Sequence, residues 1–247
     1  KADFLGAIVR GKKTSPLLDP KKAIELLGTM LGGYNVNLLI SFLKDEAFAE
    51  AAASQLTDSI FVFDNYESVL KLSETNVHAR TVIDAWSRAD WFLSRPKVAE
   101  KITLTVFMVD GEITTDDFSP AGQAGTRSDI PLHALSMLQT RYDKPLETIG
   151  ELKKKGHPIL FAGDVVGTGS SRKSAVNSVL WHIGQDIPHV PNKRRGGVVV
   201  GGKIAPIFFN TLEDAGALPI ECDVTNLATG DVVDVLPYDG RIINQST

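Results

Sequence analysis

Residues 157–183 read HPILFAGDVVGTGSSRKSAVNSVLWHI, an apolar run, a glycine- and serine-rich stretch, and a helical pattern. The apolar run predicts a buried strand, and the stretch from about Arg172 to Ile183 predicts a helix. The glycines between them let backbone N–H groups face a ligand at the helix N-terminus, where the helix dipole favours anions. Because Ser170, Ser171 and Arg172 add two hydroxyls and a guanidinium there, the turn is a candidate anion-binding site.

Three known motifs resemble this turn, and single residues exclude each of them. A P-loop requires glycine immediately before Lys-Ser/Thr, whereas Arg172 precedes Lys173 and Ser174. A dinucleotide fingerprint requires a third glycine, and Arg172 stands at that position. A nucleophile elbow requires Gly-x-Ser-x-Gly, and no glycine follows Gly169-Ser170-Ser171-Arg172. A structural alternative stays open, in which Ser170 is merely an N-cap before a solvated first turn. A cation in the first turn opposes the helix dipole, which favours the anion-binding interpretation.

The composition is that of a globular protein of one or two domains, with 247 residues, 43% of them hydrophobic. A net charge of -4 provides no global basic field for nucleic acid or acidic membranes. No stretch approaches the roughly 20 apolar residues of a spanning helix, and no signal-peptide pattern begins the chain. The single cysteine, Cys222, excludes an internal disulfide and favours a reducing, cytoplasmic setting.

The first part of the chain has helical patterns throughout. Asp19 is a predicted N-cap with Pro20 at the first helical position, and apolar residues follow at helical spacing as far as Met30 and Leu31. Similar patterns occur in NVNLLISFL, EAFAEAAASQL and NVHARTVIDAWSRADWFL, and the last contains Trp86, Trp91 and Phe92, expected in the core or a domain contact. Pro96 ends the helical pattern, so we expect a helical domain over residues 1–95 and a mixed α/β domain over residues 96–247.

A second cluster of polar residues follows the alternating run ITLTVFMVDG, which predicts a strand ending at Gly111. The stretch 111–134 reads GEITTDDFSPAGQAGTRSDIPLHA. Its polar residues are Thr114, Thr115, Asp116, Asp117 and Ser119, and then Arg127 in a glycine-flanked loop.

These motifs together resemble one known family. Thr-Thr-Asp-x-x-Ser-x-Ala-Gly at residues 114–122, the loop arginine, and Gly-Ser-Ser-Arg at residues 169–172 are similar to the swivel domain of the aconitases. Two longer stretches, residues 161–194 and 201–221, resemble the bacterial B-type branch of that family. The resemblance implies that the first domain is a HEAT-like helical domain and that the second is a three-layer β/β/α swivel domain.

The resemblance also implies a hydro-lyase that interconverts citrate and isocitrate through cis-aconitate, with 2-methylisocitrate dehydration as a related activity. Ser170 would take the proton from the carbon next to a carboxylate, while Ser171, Arg172 and Arg127 would bind substrate carboxylates. Asp116 would orient an arginine, and a simple Asx-turn is its structural alternative. A serine is a weak base, so it needs N–H donors, a helix N-terminus and cations beside it, all of which this turn offers.

The family's [4Fe–4S] cluster, held by three cysteines, has no ligand set in this chain. Cys222 alone cannot hold it and is expected in the core. The five histidines show no metal-ligand spacing. Asp117 stands where many aconitases carry histidine. We therefore expect a fragment, truncated at its start and inactive without the cluster-bearing domains of the same protein.

Other partners and functions follow as hypotheses. The resemblance allows a homodimer through the helical domain and messenger-RNA binding in the cluster-free form, although Lys193-Arg194-Arg195 is more typical of a solvated loop. One alternative is a small subunit similar to that of isopropylmalate isomerase, which shares the Gly-Ser-Ser-Arg loop but generally lacks a helical first half. Another is a protein- or RNA-interaction module.

Overall fold

The structure, a computed structural model, describes residues 1–30, 33–59 and 63–246. Leu31, predicted to be helical, and Gly32, predicted to lie at a break between helices, are outside these residues. The described chain forms two compact units, Lys1–Lys97 and Val98–Thr247. No helix in these three ranges is long and apolar enough to cross a membrane.

Short helices make up the first unit. They are α1 (Ala2–Val9), α2 (Pro20–Gly28), α3 (Val36–Phe42), α4 (Ala49–Thr57), α5 (Phe63–Ser73), α6 (Val77–Ser87) and α7 (Asp90–Leu93). The predicted cap of α2 is confirmed, because Asp19 accepts a hydrogen bond of 2.8 Å from the amide of Lys22 and Pro20 begins the helix. Sequence patterns did not predict α5.

The aromatic residues of this unit differ in their burial. Trp86 lies in the core, as expected, and its indole donates a hydrogen bond of 2.9 Å to the carbonyl of Leu56. Trp91 packs against the core from its edge, whereas Phe92 is 58% exposed. The single helix predicted over 76–93 is wrong, since Ala89 adopts a left-handed φ of 55° that separates α6 from α7.

The second unit is built on a six-stranded sheet. Its strands are β1 (Ile102–Thr114), β2 (Ile159–Thr168), β5 (Val198–Ile204), β6 (Leu218–Glu221), β7 (Val232–Leu236) and β8 (Arg241–Asn244), and a separate hairpin holds β3 (Gln185–Ile187) and β4 (Val190–Arg195). The sheet order is β6-β5-β2-β1-β7-β8, with the first four strands parallel and β7 and β8 antiparallel.

Strand β1 runs to Thr114 rather than ending at Gly111 as predicted. Gly111 has a φ of 76° and donates its amide to Asp164 at 2.6 Å, so Asp110 and Gly111 bulge out of register. Pairing with β2 then resumes at Glu112. The bulge thus carries the strand three residues further and brings Thr114 beside the end of β2.

Both faces of the sheet are buried, and the side chains of each central strand alternate between two cores. On one face, Phe107 and Phe161 pack beneath the helices. These helices are α8 (Thr115–Phe118), α9 (Ile130–Ala134), α10 (Pro145–Lys153), α11 (Arg172–Ile183) and α12 (Pro206–Asp214). On the other face, Val106 and Leu160 join residues of β5 and β7 in a second core, against which residues of β6 also pack. The chain is therefore a helical part followed by a mixed α/β part.

Candidate functional site

Two strand-to-helix junctions lie side by side at the carboxyl end of the parallel strands. β1 passes into α8 at Thr114–Thr115, and β2 passes into α11 through the turn Gly169–Arg172. Thr114 and Thr168 are register partners, so the two polar motifs, 56 residues apart in sequence, are neighbours. The carboxyl edge of parallel strands is where open α/β sheets commonly bind ligands.

The turn Gly169–Arg172 is open at the start of α11. Gly169 has a φ of 112°, which favours glycine, and the side chain of Ser170 is exposed. The N-cap is Ser171 rather than Ser170, and it makes no side-chain capping bond, so the alternative of a mere Ser170 cap is wrong. The first amides of α11 therefore lack an intrahelical partner and point out of the helix end.

Neither candidate guanidinium has a carboxylate partner within the described ranges. Arg172 is half-buried, and its Nη1 makes only a long contact of 3.4 Å with the carbonyl of Gly169. Arg127 is also half-buried and donates one hydrogen bond of 2.8 Å to the hydroxyl of Ser136. No hydrogen bond in the described chain joins Arg127 to the turn, although α9, which follows its loop, packs against α11. Both arginines keep donors free for an external carboxylate.

The two aspartates after Thr115 have different roles. Asp117 closes a capping box, because its Oδ2 accepts from the amide of Thr114 at 2.7 Å while the Thr114 hydroxyl accepts from the Asp117 amide. Asp116 is exposed and forms no ion pair with an arginine in the part of the chain that the structure describes. The local capping function thus belongs to Asp117, and an orienting role for Asp116 stays a prediction.

His182 connects the helix that begins at the turn to the helix that follows the Arg127 loop. Its Nε2 donates a hydrogen bond of 2.8 Å to the carbonyl of Ala134 at the end of α9. Burial lowers the pKa of the His182 imidazole below its usual 6.5; the bond to Ala134 opposes this, and the nearby cations Lys153 and Arg194 add to it. Burial therefore favours the neutral imidazole in the folded state.

This neutral histidine predicts acid sensitivity. Because unfolding restores the ordinary pKa of His182, the unfolded chain binds more protons, and the free energy of unfolding should fall as pH drops below 6.5. One such group contributes a slope of at most about 1.4 kcal/mol per pH unit. The bond from Thr103 is the chief cause of the lowered pKa of Asp234, and the stability that this carboxylate contributes is lost only as the pH falls toward 3.8 and below.

Denaturant titrations between about pH 5 and pH 7.5 measure this effect. His182→Gln keeps a neutral donor for Ala134 and should flatten the dependence of the free energy of unfolding on pH. An unchanged slope in His182→Gln would show that another group titrates.

The residues present do not fit an iron–sulfur cluster. The chain has one cysteine, Cys222, which is half-buried and packs beside the second core, and burial raises the pKa of its thiol. No group of three histidine, cysteine, aspartate or glutamate side chains within residues 1–30, 33–59 and 63–246 could hold a metal ion. A cluster needs ligands from outside this chain.

The basic run in β4 is partly committed to local structure. Arg194 forms an ion pair of 2.9 Å with Asp186, and its guanidinium lies 4.6 Å from the centre of the Trp181 ring. Lys193 and Arg195 are exposed. Of the three basic residues, Arg194 is therefore paired within the β3–β4 hairpin.

Comparison with known proteins identifies the family. A sequence profile described as "Aconitate hydratase 2 N-terminus" matches residues 104–247, and one described as "Aconitate B N-terminal domain" matches residues 1–92. The chain belongs to the aconitate hydratase B family. Aconitate hydratase B of Synechocystis sp. is 60% identical over 100% of this chain, and that of Escherichia coli K12 is 56% identical over 100% of it.

The chain spans only 29–30% of the length of these two relatives. Among solved structures, 3-isopropylmalate dehydratase of Methanocaldococcus jannaschii is 19% identical with a TM-score of 0.41, covering 60% of this chain and 84% of that chain. The resemblance to B-type aconitases drawn from the sequence motifs is confirmed by the curated relatives.

Sequence reasoning did not find two supporting residues. Thr115 accepts a hydrogen bond from the amide of Ser171, and Ser136 accepts one from Arg127. The sequence places Thr115 in a polar run and in the Thr-Thr-Asp motif without indicating its partner, and nothing near Ser136 in the sequence indicates its role. Both contacts depend on which elements become neighbours in the fold, so local pattern carries no signal for them.

Proposed function

We propose that this chain supplies the proton-abstracting serine and the carboxylate-binding arginines of an aconitate hydratase. The observation that carries the proposal is the open Gly169–Arg172 turn with the Arg172 guanidinium at its end, together with a second guanidinium, Arg127, in the loop before α9; neither has a carboxylate partner in the described residues. The substrate class is a tricarboxylate: citrate, cis-aconitate and isocitrate, with 2-methylisocitrate as a related substrate.

In the proposed reaction, Arg172 and Ser171 bind one substrate carboxylate and Arg127 binds another, which places the carbon between them at Ser170. Planar guanidinium forks suit carboxylates because they donate two parallel hydrogen bonds. The Ser170 oxygen, with its hydroxyl deprotonated, then takes the proton from the carbon next to a carboxylate. Amides of the helix N-terminus and the two cations stabilise the alkoxide. Asp116 belongs to the same proposal as an orienting residue.

This chain accounts for substrate binding and proton removal only. With one cysteine, it lacks a ligand set for the [4Fe–4S] cluster implied by the family, so we place the cluster in the remaining length of the protein. The proposed domains are a HEAT-like helical domain over residues 1–95 and a three-layer β/β/α swivel domain over residues 96–247. We propose the cytoplasm as the location, because cluster ligands must stay reduced.

The other hypotheses gain no support. The homodimer through the helices and messenger-RNA binding stay predictions, since the comparisons name neither. The small-subunit and interaction-module alternatives are not favoured by any contact in the described chain.

A fusion tests the proposed function. This chain replaces the matching region of Synechocystis aconitate hydratase B, to which it is 60% identical, and the cluster is loaded anaerobically. We expect the fusion to interconvert citrate and isocitrate, which the absorbance of cis-aconitate measures. The separate chain should be inactive. The intact relative, loaded in parallel, controls for the cluster. A folded, cluster-loaded fusion without turnover would contradict the proposal.

A further inference from the structure

We propose that Thr115 is a positioning residue that fixes the Gly169–Arg172 turn and thereby the direction of the Ser170 hydroxyl. Thr115 is the first residue of α8, and it is 2% exposed. Its Oγ1 accepts a hydrogen bond of 3.3 Å from the amide of Ser171, the residue directly after Ser170. A buried hydroxyl is thus bonded to the backbone next to the proposed base.

Gly169 contacts the same threonine from the other side of the turn. A Cβ at Gly169 would overlap with Thr115 Oγ1, and Gly169 has a φ of 112°. Glycine is therefore required here both for the backbone conformation and for the close approach of the threonine. Thr115 therefore contacts the residues on both sides of Ser170: it packs closely against Gly169 and accepts a hydrogen bond from the amide of Ser171.

The threonine itself is held in place on a short helix with two anchors. The capping box between Thr114 and Asp117 closes the start of α8, and the amide of Leu138 donates a hydrogen bond of 2.7 Å to the carbonyl of Asp117. Thr114 is also in register with Thr168, the residue before the turn. A site is positioned most accurately when its supporting side chains lie on rigid elements, and Thr115 meets that condition.

The hydrogen bond also selects which amides remain for a ligand. The Ser171 amide is bonded to Thr115, whereas the first amides of α11, beginning at Arg172, have no acceptor within the described residues. Without the threonine hydroxyl, the Ser171 amide becomes an additional free donor and the turn gains freedom to rotate. The expected consequence is a Ser170 oxygen that is less often aligned with the substrate proton.

Substitutions at Thr115 test this inference in two settings. Thr115→Val keeps the branched shape but removes the hydroxyl, and Thr115→Ser restores a hydroxyl in a smaller side chain. In the separate chain, hydrogen exchange of the Ser171 amide should accelerate about tenfold in Thr115→Val and return toward the original rate in Thr115→Ser. Thr148→Val removes a threonine hydroxyl from α10 and should leave this exchange rate unchanged.

The catalytic consequence rests on the proposed function and is measured in the fusion. Thr115→Val should lower kcat about 100-fold with a much smaller change in KM, because misplacement of about 1 Å is enough for such a loss. Thr115→Ser should recover most of kcat. If the parent fusion is inactive, the proposed function fails while the exchange measurement still tests Thr115. Unchanged Ser171 exchange in Thr115→Val overturns the positioning role, whatever the activity.

Discussion

Ser170→Ala in the fusion is expected to lower kcat about 100- to 10,000-fold, the usual contribution of a general base. KM should change little, because Arg127 and Arg172 still bind the substrate carboxylates. The Ser170 side chain is exposed and is not the N-cap of α11, so we expect its removal to change the free energy of unfolding by less than about 0.5 kcal/mol. Initial rates from cis-aconitate absorbance and a denaturant titration measure both quantities.

The matched control is Ser87→Ala, which removes an exposed hydroxyl from the end of α6 in the helical unit. It should leave kcat at the parent value. If Ser170→Ala retains full kcat with the cluster loaded, the base is a different group and the role assigned to this turn is wrong. A combined loss of kcat and of cluster content would instead indicate misassembly, so the iron content is measured for each variant.

The sequence pattern predicts an element most accurately where its local signals agree. Helix α11 begins at Arg172 and ends at Ile183 as predicted, because the glycine-rich turn and the helical pattern both mark it. The bulge at Gly111 and the break at Ala89 were missed. Each involves a positive φ, and at Ala89 the residue type gives no sequence signal for such a conformation.

The candidate site was only partly accessible from the sequence. The residue types at Ser170 and Arg172 were found because one short segment contains both. Their supporting contacts were not found, since Thr115 reaches Ser171 only through the pairing of β1 with β2 across 56 residues. The sequence therefore indicates which groups are available, and the sheet register determines which of them meet.

Gly167→Ala is expected to destabilise the second unit by about 2–6 kcal/mol, the sum of backbone strain and overpacking. Gly167 has a φ of 82°, and an added Cβ would overlap with the ring of Phe208. Phe208 is fully buried and cannot retreat, because its ring is stacked 5.6 Å from that of Phe118, which in turn packs against Phe161. Differential scanning calorimetry should show the transition about 5–15 °C lower.

Gly150→Ala provides the matched control for this prediction. Gly150 lies within α10 with open space around it and no positive φ, so alanine there should stabilise the same unit by about 0.5–1 kcal/mol. The two substitutions add the same methyl group and are expected to shift the transition in opposite directions. A Gly167→Ala variant that unfolds at the parent temperature would mean that the Phe208 ring can move. The aromatic packing beneath the turn would then not be what holds β2 and α12 together.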